Sequence, residues 1–139
     1  YWSGLRPAEG GLNEGYWRRD ARRVNWLWLA AAAMVASALT HSILGEKRLI
    51  QPLLRIKRGI LLADLPRKVF RFAWHAMAVL MLLSAATVAW PGTPRGLIIV
   101  LGIGWLGTGL VNAACTGGRH IIWPFLAGSG VLALIGAWA

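Results

Sequence analysis

Four apolar stretches organise the chain, at residues 24–44, 72–90, 96–114 and 121–139. None of them contains Asp, Glu, Lys or Arg. At about 1.5 Å per helical residue, each is long enough to cross roughly 30 Å of hydrocarbon. Helices buried in a water-soluble bundle keep a polar stripe, which these stretches lack. The pattern therefore predicts an all-α integral membrane four-helix bundle, with one transmembrane domain over residues 24–139.

The segments outside the stretches predict an arm and an interfacial helix. Residues 1–23 are rich in glycine and mixed in charge, which predicts an irregular extramembrane arm. The first connection, 45–71, is long and basic, and Leu49, Leu53, Ile56 and Ile60 would fall on one face of a helix. We expect an amphipathic helix lying in the membrane interface. A solvated loop with scattered leucines is the alternative interpretation.

The other two connections are short and predict tight turns. Residues 91–95 contain two prolines and a glycine, and residues 115–119 contain two glycines. Short links predict that the second, third and fourth spans are packed as sequential neighbours. Small residues recur every four positions within the spans and predict close helix approach in lipid. They are Ala32 and Ala36; Gly104 and Thr108; Ser129, Ala133 and Ala137.

Composition supports a membrane location rather than a nucleic-acid partner. Hydrophobic residues make up 57% of the chain, charged residues 14%, and the formal net charge is +10. The basic residues lie at the flanks of the apolar stretches, where anionic headgroups attract them, and no nucleic-acid-binding motif accompanies them. We therefore expect the lipid bilayer as a partner and no nucleic acid. The residues predicted to meet lipid headgroups are Arg48, Arg55, Arg58 and Lys68.

Basic residues also predict an orientation in the membrane. Nine lie on the side of the first and third connections and six on the side of the two termini. The positive-inside rule then places loop 45–71 in the cytoplasm and the termini in the periplasm. The four arginines within residues 18–23, just before the first span, favour the opposite orientation.

Three histidines form the main candidate site. His41, His75 and His120 lie at or near span ends that face the same side of the membrane, and Glu46 and the single cysteine, Cys115, lie on that side too. Imidazole, carboxylate and thiolate groups bind transition metals, so all five are candidate metal ligands. Two imidazoles could instead hold a haem iron between them. The candidate cofactors are thus haem b, a pigment or a transition metal.

A structural role for the same histidines is the alternative. His75 follows Trp74 and His120 lies near Trp123, as expected for residues of an aromatic belt at the interface. The first histidine could simply bond a neighbouring helix. Trp105 lies near the middle of the third span, where its indole N–H needs a partner. It is therefore a candidate contact for a cofactor or another subunit.

Short motifs in the chain resemble those of a protein family. They are HSILGEKRLI at residues 41–50, Trp74-His75, and GRHIIWP at residues 118–124. This set is similar to a functionally uncharacterised family of small four-span bacterial inner-membrane proteins, over about residues 24–130. The resemblance implies a bacterial source, the same four-helix arrangement, and the three histidines as the polar signature of the family. It implies no activity, cofactor or substrate.

The residues favour a function without catalysis. No nucleophile with a nearby base and acid is identifiable, and no acidic residue within a span suggests proton coupling. We expect an accessory subunit of a larger bacterial membrane complex of the respiratory or photosynthetic type, with membrane-protein partner subunits. The alternative is a membrane redox protein that binds haem, a pigment or a metal through the histidines.

Overall fold

All regular structure in the described part of the chain is helical. The structure is a computed structural model that describes the backbone of residues 9–56 and 58–139 and the side chains of residues 26–56 and 58–139. The elements are α1 (Glu9–Gly45), a π-helical turn (Glu46–Ile50), α2 (Gln51–Arg55), a 3-10 turn (Gly59–Leu62), α3 (Asp64–Ala89), α4 (Arg95–Thr116) and α5 (Trp123–Trp138). The predicted all-α fold is confirmed for these residues.

Three helical segments are long and apolar enough to cross a membrane, by length and composition: Trp26–Arg55, Asp64–Ala89 and Arg95–Thr116. The fourth predicted span is a shorter helix, α5, of 16 residues. At 1.5 Å per residue it is about 24 Å long. The chain still turns through residues 121–122, and Pro124 occupies the first turn of α5, a position that suits its missing N–H.

Helix α1 begins well before the predicted span. It starts at Glu9, so the prediction of an irregular arm is wrong for residues 9–23. Extending an existing helix requires no new nucleation, which explains how a polar segment without periodicity can continue the apolar one. Residues 1–8 of the predicted arm lie outside the described residues.

The separate interfacial helix predicted within residues 45–71 does not form. The helix of α1 instead continues through the π-helical turn into α2. Pro52 lies in the first turn of α2, and the wider π-helical turn precedes it. Ile56 has an extended backbone and Gly59 has φ +57°, so the helix ends before Ile60. Leu49 and Ile60 are 49% and 77% exposed, and the four predicted apolar residues do not share one helical face.

The two short connections form the predicted tight turns. Gly117 has φ +58° and ends α4, and its N–H and that of Gly118 donate to the carbonyls of Ala114 and Ala113. This is a Schellman motif, which needs the left-handed backbone that glycine adopts freely. Helices α4 and α5 are therefore antiparallel neighbours. At their other ends, the Arg95 guanidinium lies 3.8 Å from the centre of the Trp138 ring.

The packing order differs from the order in sequence. Helix α1 packs against both α3 and α5, and α4 packs against α5, whereas α3 and α4 touch only slightly. The prediction that the second, third and fourth spans are packed as sequential neighbours is therefore wrong for α3 and α4. A short link brings helix ends together, but it does not force two helices to stay in contact along their length.

The core draws on all four long helices, and alanines make up about half of it. It includes Ala30 and Met34 of α1, Val88 of α3, Ile98 of α4 and Ala133 of α5, each at most 1% exposed. Small side chains let helix backbones approach closely, and in lipid such packing rather than hydrophobic burial holds helices together.

The predicted small-residue ridges are correct for one helix. Ser129, Ala133 and Ala137 of α5 are buried. By contrast, the predicted pairs in α1 (residues 32 and 36) and α4 (residues 104 and 108) are exposed. In α4 the closest approach uses a different face: a β-carbon added at Gly109 would lie 2.8 Å from the Cα of Ala127, in α5.

Candidate functional site

His41 and Trp74 fasten α1 to α3. Their rings stack with centroids 4.2 Å apart and an angle of 11° between the planes. The Nε2 of His41 donates to the Trp74 carbonyl at 3.2 Å, and the indole N–H of Trp74 donates to the His41 carbonyl at 3.1 Å. Gly45 makes room for the indole, since a β-carbon there would lie 2.8 Å from the indole nitrogen. The pair is a reciprocal clamp between two helices.

A second set of hydrogen bonds joins α1 and the π-helical turn after it to α3, beside the His41–Trp74 pair. Nε2 of His75 donates to a Glu46 carboxylate oxygen at 3.3 Å, and the other carboxylate oxygen accepts from Nε of Arg71 at 2.8 Å. Ser42 Oγ lies 2.9 Å from Nδ1 of His75. Because Nε2 donates to a carboxylate, Nδ1 of a neutral His75 accepts a hydrogen bond from the Ser42 hydroxyl. Both ring nitrogens of His75 are thus engaged.

The third histidine is held by α4. Nδ1 of His120 lies 2.9 Å from Oδ1 of Asn112, so the imidazole donates and the amide oxygen accepts. Trp123 closes the same turn by donating from its indole to the Gly118 carbonyl at 3.1 Å. His120 is exposed.

A cleft of about 450 Å³ separates α3 from α4 and brings His41 and His120 to its wall. The α3 wall runs from Trp74 to Ser84 and the α4 wall from Gly104 to Asn112. These are the halves of the two helices that lie away from their short link. The volume falls within the roughly 300–1,000 Å³ that is usual for small-molecule sites.

The middle of the cleft is effectively apolar despite its hydroxyl groups. Ser84 and Thr108 donate to the carbonyls of Leu80 and Gly104 in their own helices, at 3.0 and 2.8 Å. Trp105 is 8% exposed and forms part of the wall, and its indole N–H makes no hydrogen bond to the described residues. Apart from the Trp105 indole N–H, polar groups free to meet a ligand are therefore concentrated at the histidine end.

A smaller cavity of about 250 Å³ adjoins the cleft at that end. The two cavities share His41, Trp74, His120 and Ile122 as lining residues. The smaller cavity is also lined by Arg48, from the π-helical turn after α1. The only described acidic side chains, Glu46 and Asp64, form ion pairs with Arg71 and Arg67 rather than with this arginine.

The structure brings together part of the predicted cofactor set. His41, His120 and Trp105 line one cleft, whereas His75 does not. A haem held between His41 and His75 would have to replace the bonds that now join α1 to α3. Cofactor binding stays a prediction, and the geometry favours the structural alternative for these two histidines.

The predicted metal set is not assembled. Within the described ranges, no three side chains of His, Cys, Asp or Glu come close enough to bind a metal ion together. Glu46 pairs with His75, but His41 is turned to the Trp74 carbonyl and His120 to Asn112. Cys115 is exposed at the end of α4. Sharing one end of the helices does not make side chains converge on one point.

The residues predicted to meet lipid headgroups are exposed. Arg48 lies in the π-helical turn, Arg55 ends α2, Arg58 immediately precedes the 3-10 turn, and Lys68 lies in α3. Their exposure is compatible with contact to phosphates, and the contact itself stays a prediction.

Apart from Glu46, the residues that hold the histidines in place are not among the site residues predicted from the sequence. Trp74 was predicted as a belt residue, yet it bonds, stacks and fills the space above Gly45. Asn112 is not among the predicted site residues, and it holds His120. A glycine in one helix beside a tryptophan in another leaves no signature in a single sequence, because the pairing depends on how the helices are placed.

Comparison of this chain with family models, with curated proteins and with solved structures finds no match. The resemblance based on the histidine motifs therefore stays a prediction, and the functional argument depends on the geometry of the chain itself.

Proposed function

We propose that this chain is a non-catalytic integral membrane protein that acts as an accessory subunit of a larger bacterial inner-membrane complex. The observation that carries the proposal is an apolar face of α3 that nothing in the described chain covers. Five apolar side chains of this face are each 54–73% exposed: Leu65, Val69, Phe72, Val79 and Leu83. Their spacing alternates between four and three or seven residues, as in a heptad pattern.

This outer face of α3 differs from its two other faces. Ala78, Ala85 and Val88 are buried towards the rest of the bundle, and Met77 and Met81 line the cleft. The exposed face lies opposite both. Residues at heptad spacing place knobs in register with the holes of a second helix, so the face suits a transmembrane helix of a partner subunit.

The histidine layer supports a non-catalytic role. Each of the three imidazoles is engaged in a bond that ties chain segments together, two of them between α1 and α3. We interpret these bonds as structural, because they fix the positions of the helices at this end of the molecule. A respiratory or photosynthetic complex is the type of assembly in which we expect such a subunit.

The proposal includes four membrane crossings. Helix α5 is short, but it packs against α1 and α4 through buried Ser129, Ala133 and Ala137. A short span can be accommodated by local thinning of the bilayer or by its neighbours. Termini in the periplasm and residues 45–71 in the cytoplasm remain the orientation that we propose.

Photo-crosslinking in native membranes tests the partner. A photoreactive residue replaces Val79, on the outer face of α3, and in a matched control Val111, 63% exposed on α4. We expect Val79 to give one discrete adduct with a different membrane protein and Val111 to give none. A 15.1 kDa chain without an adduct would contradict the proposal, and an adduct of twice that mass would indicate a homodimer instead.

A further inference from the structure

We propose that the α3–α4 cleft and the smaller cavity beside it form one binding site for an anionic phospholipid. One acyl chain lies in the cleft and the headgroup lies at Arg48. The inference depends on the membrane location proposed above, but not on any partner subunit.

The first argument is the distribution of polarity along the site. The cleft is walled by Met77, Leu80, Met81 and Leu126, and the hydroxyl groups among them are already bonded within their own helices. Apart from the Trp105 indole N–H, open polar side chains begin only at the histidine end. A molecule that is apolar along its length and polar at one end matches this distribution.

The second argument is charge. Arg48 lines the smaller cavity and is exposed, and no acidic side chain among the described residues pairs with it. An arginine in this state at the edge of an apolar site favours an anion, and its guanidinium can bind two phosphate oxygens at once. A zwitterionic or neutral headgroup would satisfy it less well.

The third argument is size. The smaller cavity measures about 250 Å³. A carboxylate occupies roughly the volume of two water molecules, about 60 Å³, and would leave most of this space unfilled. A glycerol phosphate headgroup fills more of this cavity than a carboxylate does.

Two pairs of variants test the acyl-chain site and the headgroup site separately. At Gly104 a β-carbon would meet open space, and the residue lines the cleft, so Gly104→Phe fills the site without disturbing helix packing. Gly107 also faces open space in the same helix but does not line the cleft, so Gly107→Phe is the matched control. For the headgroup, Arg48→Gln is compared with Arg55→Gln, which lies outside both cavities.

The experiment measures lipid retained by the protein. Each variant is reconstituted in vesicles of equal parts phosphatidylglycerol and phosphatidylcholine, released in mild detergent, and weighed by native mass spectrometry. We expect the parent chain to retain one phosphatidylglycerol. Gly104→Phe should largely abolish retention, because the phenyl ring would occupy the space in which the acyl chain packs. Arg48→Gln should lower the preference for phosphatidylglycerol about fivefold. Both controls should behave as the parent chain.

Three outcomes would overturn the inference. They are equal retention of the two lipids by the parent chain, equal loss in Gly104→Phe and Gly107→Phe, and stronger retention of added oleate than of phosphatidylglycerol. Resistance of each variant to alkaline carbonate extraction is measured in parallel. A chain that stays in the membrane but retains no lipid defeats this inference alone, whereas a chain that carbonate releases defeats the proposed membrane function.

Discussion

The contact between α4 and α5 depends on Gly130. A β-carbon at this position would lie 2.5 Å from the carbonyl oxygen of Gly102 and 2.8 Å from the Cβ of Leu106. The oxygen belongs to the backbone of a helix, so it cannot turn aside as the end of a flexible side chain can. The substitution Gly130→Ala must therefore push α4 away from α5.

The size of the effect follows from that displacement. Restoring ordinary contact requires the helices to separate by about 1 Å, which forfeits a quarter to a half of the dispersion energy of the contacts along the seam. Overpacking of this kind typically costs about 1–3 kcal/mol. Replacing a helical glycine by alanine returns up to about 1 kcal/mol. After subtraction of the full glycine term, we expect Gly130→Ala to lower the free energy of unfolding by up to about 2 kcal/mol.

Gly128 provides the control, since a β-carbon there meets nothing within 4 Å and the residue lies in the same helix. Gly128→Ala should leave stability unchanged or raise it by up to about 1 kcal/mol. The assay is reversible unfolding in mixed micelles by titration with sodium dodecyl sulfate, followed by far-UV circular dichroism. A difference of about 2 kcal/mol separates the unfolding constants of the variants roughly thirtyfold. Equal unfolding free energies for the two variants would refute the reasoning.

Two further predictions concern the histidine layer and use the same unfolding titration. Gly45→Ala should destabilise the protein by about 1–3 kcal/mol because the new methyl group would displace the Trp74 indole. Gly96→Ala, where a β-carbon meets open space, should not destabilise the protein. Equal losses of stability in the two variants would contradict the clamp between His41 and Trp74. Glu46→Gln should lower the unfolding midpoint, since Glu46 joins the turn after α1 to Arg71 and His75 on α3. Asp64→Asn removes only a pair within one helix turn, and an equal shift in that variant would show that the cross-helix bonds do not matter.

Some helix boundaries were predictable from the sequence and others were not. The apolar stretches that became α3 and α4 and the turn at Gly117 were predictable because they depend on local composition and on glycine backbone freedom. The continuation of α1 to Arg55 was not, because a basic segment after an apolar one is compatible with either a new helix or the old one. The start of α1 at Glu9 had no periodic signal either.

By itself, the sequence predicted helices and four apolar stretches, of which three lie in described helices long enough to cross a membrane. It also predicted that the histidines lie at one end of the helices. These properties follow from the order of residues along each helix. Only the tertiary structure decided that α3 and α4 diverge into a cleft, that His41 pairs with Trp74, and that Arg48 borders an adjoining cavity. Such contacts depend on the rotation and separation of helices, and small residues permit many arrangements of both.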